Sequence, residues 1–231
     1  MIHDFFLNSV YLGVLLTLGT YAIGIWLRRL TGWGIFNPLL VATLLCIAIL
    51  SLGHLPYSAY AAGAGPISYL LTPATICLAV PLYEQIEQLK HNSRAIGMGV
   101  TAGVLASMIT VLLLVLILGM DHRAYVTMLP KSITTAIGMG VSEKLGGYVS
   151  ITVAVILITG ILGNIIAENV CRIFRITDPI ARGIAIGTAS HAIGTTKALE
   201  LGQIEGAMSS LSIVISGVLT VFGSSLFAPL L

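Results

Sequence analysis

The chain contains 231 residues, of which 57% are hydrophobic and 9% are charged, and its formal net charge is +2 at pH 7. Soluble domains carry about 25% charged residues, so this composition excludes a water-exposed globular surface and also a disordered chain. The basic residues form no dense stripe, which excludes nucleic-acid binding. The three widely spaced cysteines indicate neither a disulfide framework nor a metal site, and we expect no cofactor. The composition predicts an all-α polytopic membrane protein.

The long uncharged stretches of the sequence predict the membrane spans. A bilayer core of about 30 Å requires about 20 residues of helix. The first stretch predicts an N-terminal span at residues 5–27, which we expect to be retained because no basic residue precedes it. The uncharged stretch 30–83 is long enough for two spans, which the Gly- and Pro-containing segment 51–65 separates. The later hydrophobic segments lie near 35–52, 66–83, 95–119, 124–142, 148–167, 183–199 and 206–229.

Segment 124–142 is predicted to enter and leave the membrane on one side, as a re-entrant hairpin. Lys and Arg concentrate on cytoplasmic loops. With seven crossings and this hairpin, most basic loop residues lie inside and the N-terminus lies outside, whereas eight full crossings remove the asymmetry. The basic residues placed inside by this topology are Arg28, Arg29, Lys90, Arg94, Arg172, Arg175 and Arg182.

Residues 35–119 and 148–229 are predicted to form two repeats of three segments each. Because each repeat crosses the membrane an odd number of times, the second is inserted upside down relative to the first. The middle segment of each repeat is interrupted, by Pro73 and Pro81 in the first and by glycines and a polar cluster in the second. Paired broken helices in inverted repeats are typical of secondary transporters. We therefore predict an inverted-repeat, transporter-like bundle with broken and re-entrant helices.

A lysine and three hydroxyl residues lie together inside segment 124–142. The run Lys131-Ser132-Ile133-Thr134-Thr135 directly follows Pro130. Proline favours the start of a helix, so we expect a half-helix that begins near Pro130 and presents its free N–H groups, with the Lys131 charge, to an anion. An ionisable residue inside a membrane costs at least about 2.5–3.5 kcal/mol and indicates a function by default. The alternative is that Lys131 extends to the outer interface.

The second polar cluster lies in the middle segment of the second repeat. Residues 187–200 contain three threonines, a serine, a histidine, a lysine and a glutamate, a density that a lipid-facing helix does not tolerate. On a helix His191 and Thr195 share a face, and Lys197 is close enough to Glu200 to neutralise it. His191 either handles substrate or protons or is only hydrogen-bonded within the bundle, and the Lys197–Glu200 pair is either functional or a structural salt bridge.

Two further residues at helix ends are candidates for coupling or gating. Glu84 follows the first middle segment at a place comparable to that of Glu200, although it can equally be an interfacial acid. Asn37 begins the second span and either caps that helix or faces the cavity. Ser190 and His191 are adjacent and point in different directions on a helix, so we expect no hydrolase site and no enzyme.

The chain resembles the LrgB/CidB family at four motifs. These motifs are Asn37-Pro38-Leu39-Leu40, Ala79-Val80-Pro81-Leu82-Tyr83-Glu84, Leu129-Pro130-Lys131-Ser132-Ile133-Thr134 and Ala189-Ser190-His191-Ala192-Ile193-Gly194-Thr195. The last two are the specific ones, and the resemblance covers essentially the whole chain. Members are described as holin- or antiholin-like regulators of murein hydrolases, usually encoded beside a small LrgA/CidA-like membrane protein. A plastid branch resembles glycolate/glycerate translocators, and bacterial members have been linked to pyruvate uptake.

The resemblance implies a secondary carrier for small monocarboxylates of the pyruvate, glycolate and glycerate class, working by alternating access. Its alternative implication is a holin- or antiholin-like modulator of murein hydrolase export and cell lysis. We further expect coupling to H⁺ or Na⁺, an LrgA/CidA-like partner, a homodimer and a place in the bacterial cytoplasmic membrane. The predicted substrate-binding residues are Lys131, Ser132, Thr134, Thr135, Ser190, His191, Gly194, Thr195 and Thr196. The predicted coupling or gating residues are Asn37, Pro73, Pro81, Glu84, Lys197 and Glu200.

Overall fold

A computed structural model describes residues 11–32, 36–77 and 79–231. Within these residues the regular structure is entirely helical, which confirms the predicted fold class. The chain divides into two compact units, residues 1–77 and 78–231. The first six residues of the predicted N-terminal span 5–27 lie outside the described part of the chain.

The first unit is built on two apolar helices that pack against each other. The first of them ends at Gly32, whose φ of 67° is the left-handed conformation that glycine adopts without strain. Close packing of the two helices requires a second glycine, since a Cβ on Gly24 would lie 2.8 Å from the Pro38 Cα. The helices of this unit are α1 (Leu12–Thr31), α2 (Pro38–Leu52), α3 (Tyr57–Gly63), α4 (Gly65–Tyr69) and α5 (Leu71–Cys77).

The segment predicted as an interrupted span at 66–83 is a series of short helices. Pro66 lies in α4, Pro73 in α5 and Pro81 in the next helix, α6 (Ala79–Glu84). A proline lacks a backbone N–H and clashes with the preceding turn, so three of them prevent one long helix here. The predicted interruption is therefore confirmed.

The second unit consists of longer helices arranged around a common core. The helices after α6 are α7 (Ile86–His91), α8 (Ser93–Leu118), α9 (His122–Met128), α10 (Thr135–Lys144), α11 (Val149–Ile173), α12 (Pro179–Leu201) and α13 (Gln203–Phe227), and Ala228–Leu230 forms a 3₁₀ turn. Helix α12 packs most extensively on α13 and next on α11. Three stretches, namely α8, α11 and α13 with the 3₁₀ turn that follows it, are long and apolar enough to cross a membrane.

Helix α8 forms one side of this core. Its buried side chains recur every three or four residues, as expected for one face of a helix, and its other face exposes large apolar side chains such as Leu113 and Ile117. Tyr125 of α9 is fully buried against this core, and its hydroxyl donates a hydrogen bond to the Phe227 carbonyl at 3.0 Å. The buried residues of α8 are Ile96, Val100, Val104, Met108, Val111 and Val115.

Two glycines allow α12 and α13 to pack backbone against backbone. A Cβ on Gly187 would lie 2.8 Å from the Ser209 Cα, and a Cβ on Gly183 would lie 2.6 Å from the Met208 Cβ. Only glycine fits at both places without a shift of the neighbouring helix. The spacing of four residues between the two glycines predicts this close approach.

Two breaks interrupt the helices of the second unit. The first separates α9 from α10 and contains Pro130, and the second is a kink inside α12 at His191. Helix α10 begins at Thr135, so the expectation of a half-helix beginning near Pro130 is wrong. The physical reason is that Pro130 continues the end of α9 as a turn, in which the Lys131 N–H donates to the Met128 carbonyl at 3.1 Å. The predicted repeats at 35–119 and 148–229 and the predicted membrane topology stay predictions.

Candidate functional site

A cleft of about 690 Å³ lies in the second unit between α8 and α12, and the turn between α9 and α10 forms part of its wall. Glycine and alanine make up much of the wall, which leaves room for a ligand between the two helices. The volume falls within the usual range for small-molecule sites. The polar residues on the wall are Asn92, Ser107, Thr110, Lys131, Ser132, Asp178 and Thr188.

Two glycines of α8, Gly99 and Gly103, lie on this wall. A Cβ on Gly103 would lie 2.5 Å from the Thr188 Cγ2, and a Cβ on Gly99 would lie 3.3 Å from the Ile184 Cγ2. These contacts bring α8 and α12 together along the cleft. A larger residue at Gly103 would push the two helices apart.

Lys131 supplies the one basic side chain of the cleft wall within the described residues. Its ammonium group donates a hydrogen bond to the Ser132 hydroxyl at 3.0 Å, and that oxygen lies 3.1 Å from the Ser107 hydroxyl of α8. In this part of the chain Lys131 forms no ion pair with an acidic side chain. A lysine ammonium has three donors, so two of them are available to an anion.

The cleft wall also carries one carboxylate, that of Asp178. Asp178 caps α12, because its Oδ1 accepts a hydrogen bond from the Ala181 N–H at 2.8 Å. A carboxylate is stabilised at a helix N-terminus. Because the Asp178 carboxylate repels an anion, the neighbourhood of Lys131 is the part of the cleft that suits one.

His191 lies at the kink of α12 and is buried, with 2% of its surface exposed. Its φ of 43° and ψ of −143° are non-helical, which separates the two halves of the helix. The ring Nε2 lies 3.0 Å from the Ile156 carbonyl oxygen of α11, a distance at which Nε2 carries the proton and donates it. His191 does not lie on the wall of the cleft.

The threonines that follow His191 are also engaged within the protein. The Thr195 hydroxyl donates to the His191 carbonyl at 3.0 Å and therefore accepts from the Ser209 hydroxyl of α13, at 2.7 Å. The Thr196 hydroxyl accepts a hydrogen bond of 2.8 Å from the side-chain amide of Asn164, which also donates to the Ile193 carbonyl. These bonds join the second half of α12 to α11 and α13.

The structure brings two of the predicted substrate-binding residues, Lys131 and Ser132, onto the cleft wall. The others lie elsewhere. Thr134 occupies the N-cap position of α10 without a capping hydrogen bond from its side chain, and Thr135 begins that helix. Ser190 and Gly194 are buried in α12, and His191, Thr195 and Thr196 bond within the protein. Two other residues of the second polar cluster line the cleft instead. They are Thr188 and Ala189, which precede the kink. Among the described residues, no group of three His, Cys, Asp or Glu side chains is placed to hold a metal ion.

Lys197 is held between two carboxylates. Its ammonium group lies 3.3 Å from Glu200, as the sequence spacing predicts, and 3.0 Å from Glu168 of α11. The carboxylates neutralise the lysine charge and connect the end of α12 to α11. This arrangement favours the structural interpretation of the Lys197–Glu200 pair.

A family model described as the LrgB-like family matches residues 17–230 of the chain. The chain belongs to this family. Two proteins named Antiholin-like protein LrgB, from Bacillus cereus (strain B4264) and Bacillus anthracis (strain CDC 684 / NRRL 3495), are each 36% identical to it over 220 residues. Those residues cover 95% of this chain and 96% of each relative. No solved structure matches the chain.

Membership of the LrgB-like family confirms the resemblance that the four sequence motifs indicate. It also agrees with the three apolar helices that are long enough to cross a bilayer. The chain is a membrane protein. Its exposed apolar side chains on α8 therefore have lipid, and not water, as their solvent.

The predicted coupling residues of this LrgB-like protein lie in both units. Asn37 caps α2, since its Oδ1 accepts a hydrogen bond of 2.9 Å from the Leu39 N–H, which supports the capping interpretation. Pro73 lies exposed in α5, and Glu84 lies exposed at the end of α6. Pro81 also lies in α6, and the structure does not describe its side chain. A coupling or gating role for these residues stays a prediction.

Several polar residues around the two breaks were missed by sequence reasoning. Asn164 is a lone amide inside an apolar span, a signal that a search for isolated polar residues finds. Glu168 lies at the end of the same helix, where an acid is usually an interfacial residue. Ser107 and Ser209 carry no signal in the sequence, because single serines are common in apolar helices.

Proposed function

We propose that this protein acts as an antiholin-like membrane protein, which restrains membrane permeabilisation and so modulates murein hydrolase export and lysis. The observation that carries the proposal is the match to proteins named Antiholin-like protein LrgB, which extends over 95% of the chain. The protein acts in the bacterial cytoplasmic membrane, with its N-terminus outside, and works with a small LrgA/CidA-like membrane protein.

The arrangement of polar groups supports a modulator and not a pore. A wide aqueous pore needs a continuous polar surface along its helices. In α13, the buried hydroxyls of Ser210 and Ser212 instead donate to carbonyls one turn earlier in the same helix, and Ser209 bonds to Thr195. These hydroxyls are satisfied within the protein and offer no surface to a column of water.

Dye release from liposomes tests this proposal. Liposomes that contain the purified full chain should retain a large fluorescent dye. Co-reconstitution with a pore-forming LrgA/CidA-like protein should release less dye than that protein releases alone. Rapid release by the full chain alone, or unchanged release after its addition to the partner, would overturn the proposal.

A second candidate function is the carriage of small monocarboxylates, and the cleft at Lys131 favours it. The Lys131 ammonium and the Ser132 and Ser107 hydroxyls can together hold a carboxylate and a neighbouring oxo or hydroxyl group. Alternating access would expose this site to each side of the membrane in turn, coupled to H⁺ or Na⁺.

Counterflow in liposomes tests the carrier. Vesicles preloaded with unlabelled pyruvate, glycolate or glycerate should accumulate the labelled form of the same acid. Replacement of Lys131 by Met should reduce this uptake by about tenfold or more, because hydrogen bonds to a charged donor contribute about 1.5–3 kcal/mol. The matched control is Lys144→Met, which removes an exposed lysine at the end of α10. Equal uptake by Lys131→Met and the parent would remove the cleft from the mechanism.

A further inference from the structure

A second cleft, of about 400 Å³, lies where α11 ends and the chain turns into α12. Its wall carries three arginines, Arg172, Arg175 and Arg182, and one acidic residue, Glu168. We call it the arginine cleft. It shares no lining residue with the cleft at Lys131.

The acidic groups around the arginine cleft pair with two of its three arginines. Glu168 lies 3.3 Å from Arg172 and 3.0 Å from Lys197, and Lys197 also lies 3.3 Å from Glu200, so Arg172 and Lys197 have two carboxylates between them. Arg182 lies 3.6 Å from the buried Glu205, and its Nε also donates to a loop carbonyl. Arg175 forms no ion pair in the part of the chain that the structure describes. Among the described residues, the positive charge that no carboxylate compensates on this wall is therefore that of Arg175.

Arg175 holds its position in a backbone conformation that favours glycine. Its φ is 54°, in the left-handed region, just after the end of α11. The turn is closed by the Ile176 N–H, which donates to the Cys171 carbonyl at 2.8 Å. Helices commonly end with glycine in this conformation. Here the position carries an arginine whose side chain lines the cleft.

Two apolar side chains flank the arginine cleft in the sequence and are strongly exposed. Ile173 is 73% exposed and Phe174 is 72% exposed. At the end of a membrane-spanning helix, such side chains are favourable at the level where acyl chains meet headgroups. The arginines next to them then lie at headgroup depth, and the predicted topology places them on the cytoplasmic side.

We propose that the arginine cleft binds the phosphate of an anionic phospholipid from the cytoplasmic leaflet. A guanidinium group presents paired N–H donors that match two phosphate oxygens. Basic pockets between helices at this membrane surface suit lipid headgroups. Ile173 and Phe174, which lie exposed next to these arginines in the chain, are available to the acyl chains of the same lipid, a contact that a soluble phosphate does not need.

Native mass spectrometry of the detergent-purified full chain tests the proposal. The protein is exposed to equal amounts of phosphatidylglycerol and phosphatidylcholine with the same acyl chains. The parent should retain phosphatidylglycerol preferentially, and Arg175→Gly should lower this preference about fivefold. Glycine fits a φ of 54° without strain, so this variant removes the charge without disturbing the turn. The control is Arg94→Ala, which removes an exposed arginine at the start of α8 and should leave the preference unchanged.

Three results would overturn the proposal. The first is equal retention of the two lipids by the parent, and the second is an unchanged preference in Arg175→Gly. The third is displacement of phosphatidylglycerol by millimolar inorganic phosphate, which would make the arginine cleft a site for soluble anions.

Discussion

Each of the two breaks in the second unit places a basic side chain in apolar surroundings, but Lys131 faces a cleft whereas His191 is enclosed by the protein. At the turn between α9 and α10, Lys131 is half-buried, faces a cleft and bonds only to the neighbouring Ser132. At the kink of α12, His191 is 2% exposed and bonds to the Ile156 carbonyl, and its own carbonyl accepts from Thr195.

The difference between the breaks is one of unused hydrogen-bonding capacity. The ammonium group of Lys131 keeps donors for a ligand, whereas the His191 Nε2, the His191 carbonyl and the Thr195 hydroxyl are bonded within the protein. A polar residue inside a membrane protein therefore indicates a ligand site only when its neighbours leave it unsatisfied. The comparison predicts that the His191 break matters mainly for stability and the Lys131 break mainly for binding.

The largest effect on stability is expected for His191→Ala. The variant removes a buried ring and its bond to α11, and should lower the free energy of unfolding by about 2–4 kcal/mol. Thermal unfolding of the detergent-purified chain measures the loss. The control His122→Ala, at an exposed position, should unfold like the parent. Normal stability together with lost counterflow would make His191 a functional residue and reverse the comparison.

A smaller loss is expected for Thr195→Val. Valine keeps the shape but removes the hydroxyl, which leaves the buried Ser209 hydroxyl without its partner. The expected cost is about 1–3 kcal/mol in the same thermal assay. Thr101→Val is the matched control, because the Thr101 hydroxyl is exposed and bonds only within its own helix. Equal stability of the two variants would show that the Thr195–Ser209 bond does not hold the kink.

At the other break, Ser107→Ala should have a mild effect. It removes the hydroxyl 3.1 Å from that of Ser132 and so one of the contacts between α8 and the Lys131 turn. A partly buried neutral hydrogen bond contributes about 0.5–1.5 kcal/mol. We expect the free energy of unfolding to fall by about 0.5 kcal/mol, measured by thermal unfolding. A loss as large as that of Thr195→Val would mean that the two breaks are equally structural.

The smallest effect on stability is expected for Lys131→Met. The variant removes a half-buried charge that no acidic side chain in the described residues pairs with, so the free energy of unfolding should stay within about 0.5 kcal/mol of the parent. Thermal unfolding of Lys131→Met beside Lys144→Met measures this. A large loss would assign Lys131 a packing role.

Most of the helical architecture follows from the sequence, because apolar length and helix breakers determine it. The segments near 95–119 and 148–167 correspond to α8 and α11, and the prolines of segment 66–83 account for its short helices. The start of α10 was misplaced because proline is compatible both with the first turn of a helix and with the turn after one. Only the backbone hydrogen bonds of the folded chain distinguish these cases.

The site could be predicted only in part. Lys131 and Ser132 stand out because a charge inside an apolar segment is costly. The sequence also marks His191 and Thr195, but it does not reveal that Ile156 and Ser209 satisfy them, since those partners are 35 and 14 residues away. Long-range partners decide which polar residues remain available, and they are set by packing.

The glycine contacts between α12 and α13 have a mechanical consequence. Because the two backbones touch at Gly183 and Gly187, whereas α8 meets α12 through the side chains of Ile184 and Thr188, we expect α12 and α13 to separate less readily than α8 and α12. A change in the width of the 690 Å³ cleft is then expected to involve a shift of α8 relative to α12. Gly99 and Gly103 lie where α8 contacts α12, so a bulky side chain at either position would collide with Ile184 or Thr188 and hold the two helices apart.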